Sequence, residues 1–204
     1  MNKQEIIEFG KQLYDKDLTF ATSGNISVRT EEGILITASG SSLGRLKEED
    51  IVLIDMEGNV ISGRKPSCEK MLHVEVYKLR EDVNAIIHTH PLFLTSFASC
   101  HQVLNEPIMS ENILYFEEIP VAEYSMPSSM ELVEKTVKYL KDRDVTMMAN
   151  HGAIAVADNL LNAFYKMETA EYYAKVTLNT RILGNPKYLS DKDVQDLINL
   201  KNSK

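Results

Sequence analysis

The sequence predicts an α+β or α/β sandwich built on a largely antiparallel sheet. Three observations carry this. Stretches of strand-like and helix-like periodicity are mixed along the whole chain. Several neighbouring strands are joined by turns too short for a helical crossover. No linker, repeat or low-complexity tract divides the 204 residues. A doubly wound parallel sheet would instead place a helix between successive strands.

The elements follow in order. Asn2 with Glu5 forms a capping-box pattern, and Ile6, Ile7, Gly10, Leu13 and Tyr14 then share one helical face. Asn25–Thr30 and Gly33–Thr37 read as strands joined by a turn at Glu31 and Glu32. Residues 51–55 and Val60–Ser62 flank Glu57-Gly58-Asn59, a hairpin turn. Pro66-Ser67 is expected to open a helix running to about Arg80. Ala85–Thr89 is a short apolar strand stopped by Pro91, and a helix to about His101 follows. Residues 102–126 read as irregular, with a short strand near 119–122. Ser128 and Glu131 form a second capping-box pattern ahead of Leu132, Val133, Thr136, Val137 and Leu140. Residues 146–149 and 153–156 are strands around the turn Asn150-His151-Gly152. A long helix spans Leu160–Leu183, Asn185-Pro186 breaks it, and Ser190 caps a final short helix.

Composition bounds the function classes. The length suits one substantial core and is short for two. Hydrophobic residues make up 44% and charged residues 25%, the profile of a soluble globular domain. No apolar run approaches the ~20 residues of a membrane span. Residues 1–15 are charged throughout, without an apolar signal-peptide core. Cys68 and Cys100 have no paired spacing, so free thiols and a cytoplasmic location are expected. The net charge of −8 argues against a broad basic face for nucleic acid. An anionic substrate would need local donors: backbone N–H groups, hydroxyls or a metal ion.

Five histidines are present: His73, His88, His90, His101 and His151. His88 and His90 lie two apart at a strand end, so both imidazoles point to one face and can reach one ion. Zinc accepts imidazole nitrogens at ~2.0–2.1 Å in a tetrahedral shell. His151, in a tight turn before Gly152, is the best third ligand. The spacing alone leaves open that the three are unrelated polar residues at strand ends. Pro66-Ser67-Cys68-Glu69 reads as a helix start whose free N–H groups attract an anion, with Ser67 adding a hydroxyl. Glu69 suits the first turn of such a helix in any protein. His73, one turn on, is a fourth ligand or, more ordinarily, a structural hydrogen-bond partner. His101 is explained by a helix C-terminus. Thr22-Ser23-Gly24-Asn25 and Thr37-Ala38-Ser39-Gly40 can each form an anion nest, although turns of this composition are widespread. Arg64 and Lys65 are phosphate candidates or a solvated turn.

Taken in order, Thr22-Ser23-Gly24-Asn25-Ile26-Ser27-Val28-Arg29, Leu35 to Gly40, Pro66 to Glu69, His88-Thr89-His90 and Asn150-His151-Gly152 resemble the class II aldolase and adducin head family. The resemblance runs from about Asn2 to Ser190 and implies a single domain over 1–204. It implies a three-layer αβα sandwich with a mostly antiparallel central sheet, and one Zn2+ (or another divalent ion) per chain. It also implies a homotetrameric ring with active sites at subunit interfaces. The ligands it implies are His88, His90 and His151, joined by Glu69, which then serves as acid/base. The phosphate cradle it implies is Asn25, Ser39, Gly40, Ser67 and Cys68.

Two departures stand out. A thiol, Cys68, replaces the usual second serine and is a weaker donor. The glycine-rich stretch around the family's catalytic tyrosine is missing, which leaves Glu111 or Tyr115 as the second acid/base. The resemblance implies cleavage of a ketose 1-phosphate to dihydroxyacetone phosphate and an aldehyde. Its rivals are a pentulose-phosphate 4-epimerase, a methylthioribulose-1-phosphate dehydratase and a non-catalytic adducin-like assembly module. The epimerase typically carries Asp where this chain has Glu69. The intact His88, His90, His151 and Glu69 set weighs against the assembly module.

Overall fold

The computed structural model describes residues 2–203. Helix α1 (Lys3–Asp15) starts as its capping box dictates. The Asn2 side chain accepts from the Glu5 N–H at 3.0 Å, and the Glu5 carboxylate accepts from the Asn2 N–H at 2.6 Å. Strands β1 (Asn25–Thr30), β2 (Gly33–Thr37), β3 (Ile51–Ile54) and β4 (Val60–Ser62) form a meander. Gly58, at φ +82°, turns the last hairpin, where Asp55 accepts from the N–H groups of Glu57 and Asn59. After them come α2 (Lys70–Leu79), β5 (Ala85–Thr89), α3 (Leu92–Ser99), α4 (Ser110–Tyr115) and β6 (Val121–Ala122). The chain continues through α5 (Met130–Leu140), β7 (Val145–Met148), β8 (Gly152–Ala157), α6 (Leu160–Leu183) and α7 (Asp191–Asn202).

Among the described residues the eight strands form one sheet in the order β4-β3-β2-β1-β5-β8-β7-β6. Every neighbouring pair is antiparallel except β6 with β7. The period of two then builds two cores. Ile26, Val28, Ala85, Ile87, Ala153 and Ala155 face the layer of α1, α3 and α6. Ile34, Ile36, Val52, Ile86, Ile154 and Val156 face α2 and α5. The result is the three-layer αβα sandwich. With both faces covered, the central strands are apolar on both sides, and a polar side chain there must find a partner or cost about 1–3 kcal/mol. Asn25, Ser27 and His88 are such residues.

Several expectations are corrected. The helix at Pro66 does not begin there. Pro66 forms an antiparallel bridge with Ala38, with the Ser39 N–H on the Lys65 carbonyl and the Ser67 N–H on the Thr37 carbonyl, each at 3.0 Å. Proline suits that extended position as well as a first helical turn, so the motif read two ways. Helix α2 starts at Lys70, and Glu69 is its N-terminal flanking residue. Ser129, not Ser128, caps α5; its hydroxyl accepts from the Leu132 N–H at 3.1 Å, while Ser128 takes φ +66°. Helix α3 ends at Ser99, and His101 lies beyond it at φ +52°, with its Nε2 paired to Asn150 Oδ1 at 2.8 Å. The stretch 102–126 contains α4, a six-residue helix too short to show periodicity. The strand near 119–122 reduces to β6 and an isolated bridge between Leu104 and Ile119. No helix of the described residues is long and apolar enough to cross a membrane.

Candidate metal centre

His88, the last but one residue of β5, lies directly opposite Asn25 of β1, on the sheet face that meets α2. His90 follows two residues later, beyond the strand. His151 stands in the turn between β7 and β8, where Asn150 adopts φ +56°. Strand pairing of β5 with β8 brings this turn beside Thr89, opposite Ala153. The ligand nitrogens of His88, His90 and His151 all lie within 4.8 Å of one another. The three rings are mutually edge-on or tilted, with centroids 4.9, 4.9 and 5.0 Å apart.

Glu69 completes the group from the start of α2. Its Oε2 is 3.2 Å from His88 Nε2 and its Oε1 is 3.4 Å from His151 Nε2. His88 Nδ1–H donates to the Ala153 carbonyl at 2.9 Å, which fixes the tautomer that leaves the Nε2 lone pair facing the cluster. His88 Nε2 and His90 Nε2 meet at 3.2 Å, and Glu69 Oε1 is buried without a hydrogen-bond partner. A proton can be shared between the two nitrogens, but the buried Glu69 oxygen is left without a donor, and a cation among these groups would satisfy all of them. Three imidazoles and one carboxylate are a donor set that fits a divalent ion such as zinc.

The charges agree. Burial drives His90 down to about 3 and His151 down to about 4, each helped by the positive field of His88, so both are neutral ligands at physiological pH. Burial works to raise the Glu69 carboxyl, but the charge and hydrogen bond of His88 outweigh it and hold Glu69 well below the usual carboxylate range. Burial likewise works to lower His88, and Glu69 overcomes it and raises it.

The cluster floors a cavity of about 180 Å³ lined by Asn25, Ser39, Gly40, Ser67, Cys68 and Glu69, among others. The five residues expected as a phosphate cradle therefore all line this cavity. Among the described residues, the backbone N–H groups of Gly40 and Cys68 make no hydrogen bond within the chain, whereas those of Ser39 and Ser67 are spent on the bridge around Pro66. Asn25 is committed elsewhere, since its Nδ2 donates to Glu69 Oε2 at 3.0 Å. Arg64 pairs with Asp50 and does not line the cavity, and neither does Lys65. Glu111 and Tyr115 are both exposed on α4, and neither lines this cavity in its own chain.

His73 is the residue whose two readings the structure separates. It lies fully buried between Ser27 and Asn25, with both ring nitrogens hydrogen-bonded and neither among the metal-facing atoms. Sequence reasoning missed Ser27 and Tyr77, which share this network. Their signal was available: Asn25 and Ser27 are two apart on a strand, and Glu69, His73 and Tyr77 are four apart on a helix, so polar groups recur on two buried faces.

The family model described as the class II aldolase and adducin N-terminal domain matches residues 4–178. The chain belongs to the class II aldolase and adducin family. Class II aldolases use a divalent metal, and the three clustered histidines are a group able to hold one. Among its curated relatives, the L-fuculose phosphate aldolase of Methanocaldococcus jannaschii is 39% identical over 87% of this chain and 96% of that one. The 3-oxo-tetronate 4-phosphate decarboxylase of Haemophilus influenzae is 33% identical over 97% of this chain and 96% of that one. A solved L-fuculose 1-phosphate aldolase superposes with a TM-score of 0.91 at 36% identity, covering 98% of this chain and 95% of that one. The chain is thus an enzyme of the class II aldolase type, similar to aldolases acting on sugar phosphates.

Proposed function

We propose that this chain is a zinc-dependent aldolase that cleaves a ketose 1-phosphate, of the L-fuculose 1-phosphate kind, to dihydroxyacetone phosphate and an aldehyde. The observation that carries this reading is the Glu69 carboxylate set against His88 through Oε2 and His151 through a hydrogen-bond-free Oε1, beside three clustered imidazoles in a donor-lined cavity. His88, His90 and His151 would hold the zinc, with Glu69 as a fourth ligand in the free enzyme. When bound, the ion supplies Lewis-acid polarisation of the substrate's carbonyl and adjacent hydroxyl oxygens.

The chain's own groups do the rest. The free N–H groups of Gly40 and Cys68, with the hydroxyls of Ser39 and Ser67, bind the phosphate and place the sugar's reacting carbons over Glu69. The C4 hydroxyl gives up its proton to a second acid/base as its oxygen becomes the aldehyde carbonyl. The electron pair of the C3–C4 bond passes to the enediolate of dihydroxyacetone phosphate. Glu69, having taken up a proton from solvent, then delivers it to C3 of that enediolate, and the second acid/base returns the C4 proton to solvent. The second acid/base is carried by α4, as Glu111 or Tyr115.

Because α4 does not line its own chain's cavity, the reading requires a neighbouring chain to supply it, in a closed homotetramer. The cavity's size supports this. About 180 Å³ in one chain is well below the roughly 300–1,000 Å³ of a typical ligand cleft. Exposed Phe20 lies edge-on to the His90 ring at 6.1 Å. We place the enzyme in the cytoplasm, with both cysteines free.

Glu69→Gln tests the reading. It keeps the shape and removes the base, so turnover should fall by about 10²–10⁴-fold. Exchange of the C3 proton of dihydroxyacetone phosphate with solvent should disappear, while three histidines still hold the metal. Unchanged exchange in Glu69→Gln would reduce Glu69 to a helix-start acid.

A further inference from the structure

Behind the metal-facing carboxylate, five buried side chains are linked in one file. Tyr77 OH lies 2.8 Å from Ser27 Oγ, and Ser27 Oγ lies 2.6 Å from His73 Nδ1. His73 Nε2 meets Asn25 Oδ1, and Asn25 Nδ2 donates to Glu69 Oε2 at 3.0 Å. None is more than 8% exposed: Ser27 and His73 are at 0%, Tyr77 at 1%, Asn25 at 4% and Glu69 at 8%.

The hydrogens in this file have one consistent arrangement, which starts from Glu69. An ionised carboxylate can only accept, so the Asn25 amide must present its NH2 to it. The amide oxygen then faces His73, so His73 must carry its proton on Nε2. Its Nδ1 is left to accept, and Ser27 must donate to it. The Ser27 oxygen is then open to receive the Tyr77 proton. Reversal at any link would set two donors or two acceptors face to face in the core, at about 1–3 kcal/mol per unsatisfied group.

We infer that His73 is a positioning residue: anchored by Ser27 and Tyr77, it locks the Asn25 amide in the orientation that ties down Glu69 Oε2 beside His88 and turns Oε1 toward His151. This rests on reading Glu69 as the metal-facing carboxylate. It also gives Asn25 a first duty toward Glu69, in addition to any contact with phosphate. If the Asn25 amide were free to flip, its oxygen would lie against the Glu69 carboxylate, which would rotate away and lose its aim. His73 therefore controls Glu69 without touching the metal site itself.

Two measurements test this. The first is long-range 1H–15N correlation of the histidine rings in the metal-free, full-length protein at neutral pH. His73 should show a single neutral Nε2–H tautomer; an Nδ1–H tautomer or an averaged pair would overturn the inference. The second is zinc affinity by chelator competition. His73→Phe should bind zinc about 10–100-fold more weakly, the usual cost of losing a group that orients a ligand. His73→Gln keeps an N–H for Asn25 Oδ1 and should return close to wild type. Wild-type affinity in His73→Phe, or no rescue by His73→Gln, would overturn it. If His73→Phe fails to fold, the tautomer and the His73→Gln affinity still decide. A wild-type protein that binds zinc and cleaves substrate but shows the Nδ1–H tautomer would sink this inference alone and leave the proposed function standing.

Discussion

A methyl group placed on Gly152 would meet Cδ2 of the His90 ring at 2.5 Å and the Thr89 carbonyl oxygen at the same distance. Gly152 is thus the floor on which His90 rests, one residue after His151. Its backbone is not left-handed, so the glycine is required by space and not by conformation.

Gly152→Ala should therefore push His90 out of register with His88 and His151. The expected effect is a 10–100-fold loss of zinc affinity with a modest overpacking cost of about 1–3 kcal/mol. Chelator competition and thermal unfolding read the two separately. Wild-type zinc affinity in Gly152→Ala would show that the ring yields without moving its ligand atom.

His73 also marks the pH dependence of folding. Burial, then the charge on His88, lowers it to about 3, whereas an unfolded chain protonates it near 6.5. The unfolded state then binds more protons between these values. The stability tied to neutral His73 is complete above about pH 6.5 and is lost as pH falls toward 3, at about 1.4 kcal/mol per unit. Urea unfolding of the metal-free protein across this window should show a slope shallower by about one proton in His73→Phe than in wild type. His90 and His151 act in the same direction and His88 in the opposite one, so the comparison isolates His73. Equal slopes would contradict the assignment.

Cys68 lines the cavity beside Ser67 and is exposed as a free thiol. Cys68→Ser restores a stronger donor. A net hydrogen bond of about 0.5–1.5 kcal/mol predicts a roughly 2–10-fold lower KM for the phosphorylated substrate, with kcat nearly unchanged. The dephosphorylated sugar serves as control. Equal improvement for both sugars would remove Cys68 from the phosphate wall.

The assignment of α4 to a neighbour's site makes a mixing prediction. Glu69→Gln chains should regain part of the activity when dissociated and reassembled with whichever of Glu111→Gln and Tyr115→Phe is nearly inactive alone. Such sites would pair an intact Glu69 with an intact α4 acid/base from the next chain. Absence of any recovery, or a fully active monomer in sedimentation at assay concentration, would contradict the shared site.

Much of this was legible in the sequence, for identifiable reasons. His88 lies on β5 and His90 one residue past its end, two apart as on a strand, and His151 sits in a turn marked by Asn150 and Gly152 beside that strand end, so their convergence was readable from strand and turn signals. Capping chemistry placed α1 and α7 at their observed starts. The start of α2 was misplaced because proline fits both a first helical turn and a bridge, and only the distant partner Ala38 decides. Helix α4 offered six residues, fewer than two turns, and no periodicity to read. The Asn25–His73 contact joins residues 48 apart and depends on the packing of α2 onto β1. Local pattern marks such residues as polar and buried but does not pair them.

The central claim is tested most directly by incubating the zinc-loaded protein with a panel of ketose 1-phosphates that includes L-fuculose 1-phosphate. Dihydroxyacetone phosphate is followed by a coupled reductase. The account predicts its release in step with an aldehyde, abolished by a chelator and restored by zinc. A diketone phosphate without dihydroxyacetone phosphate, epimerised sugar phosphate alone, or no turnover of any member of the panel would contradict it.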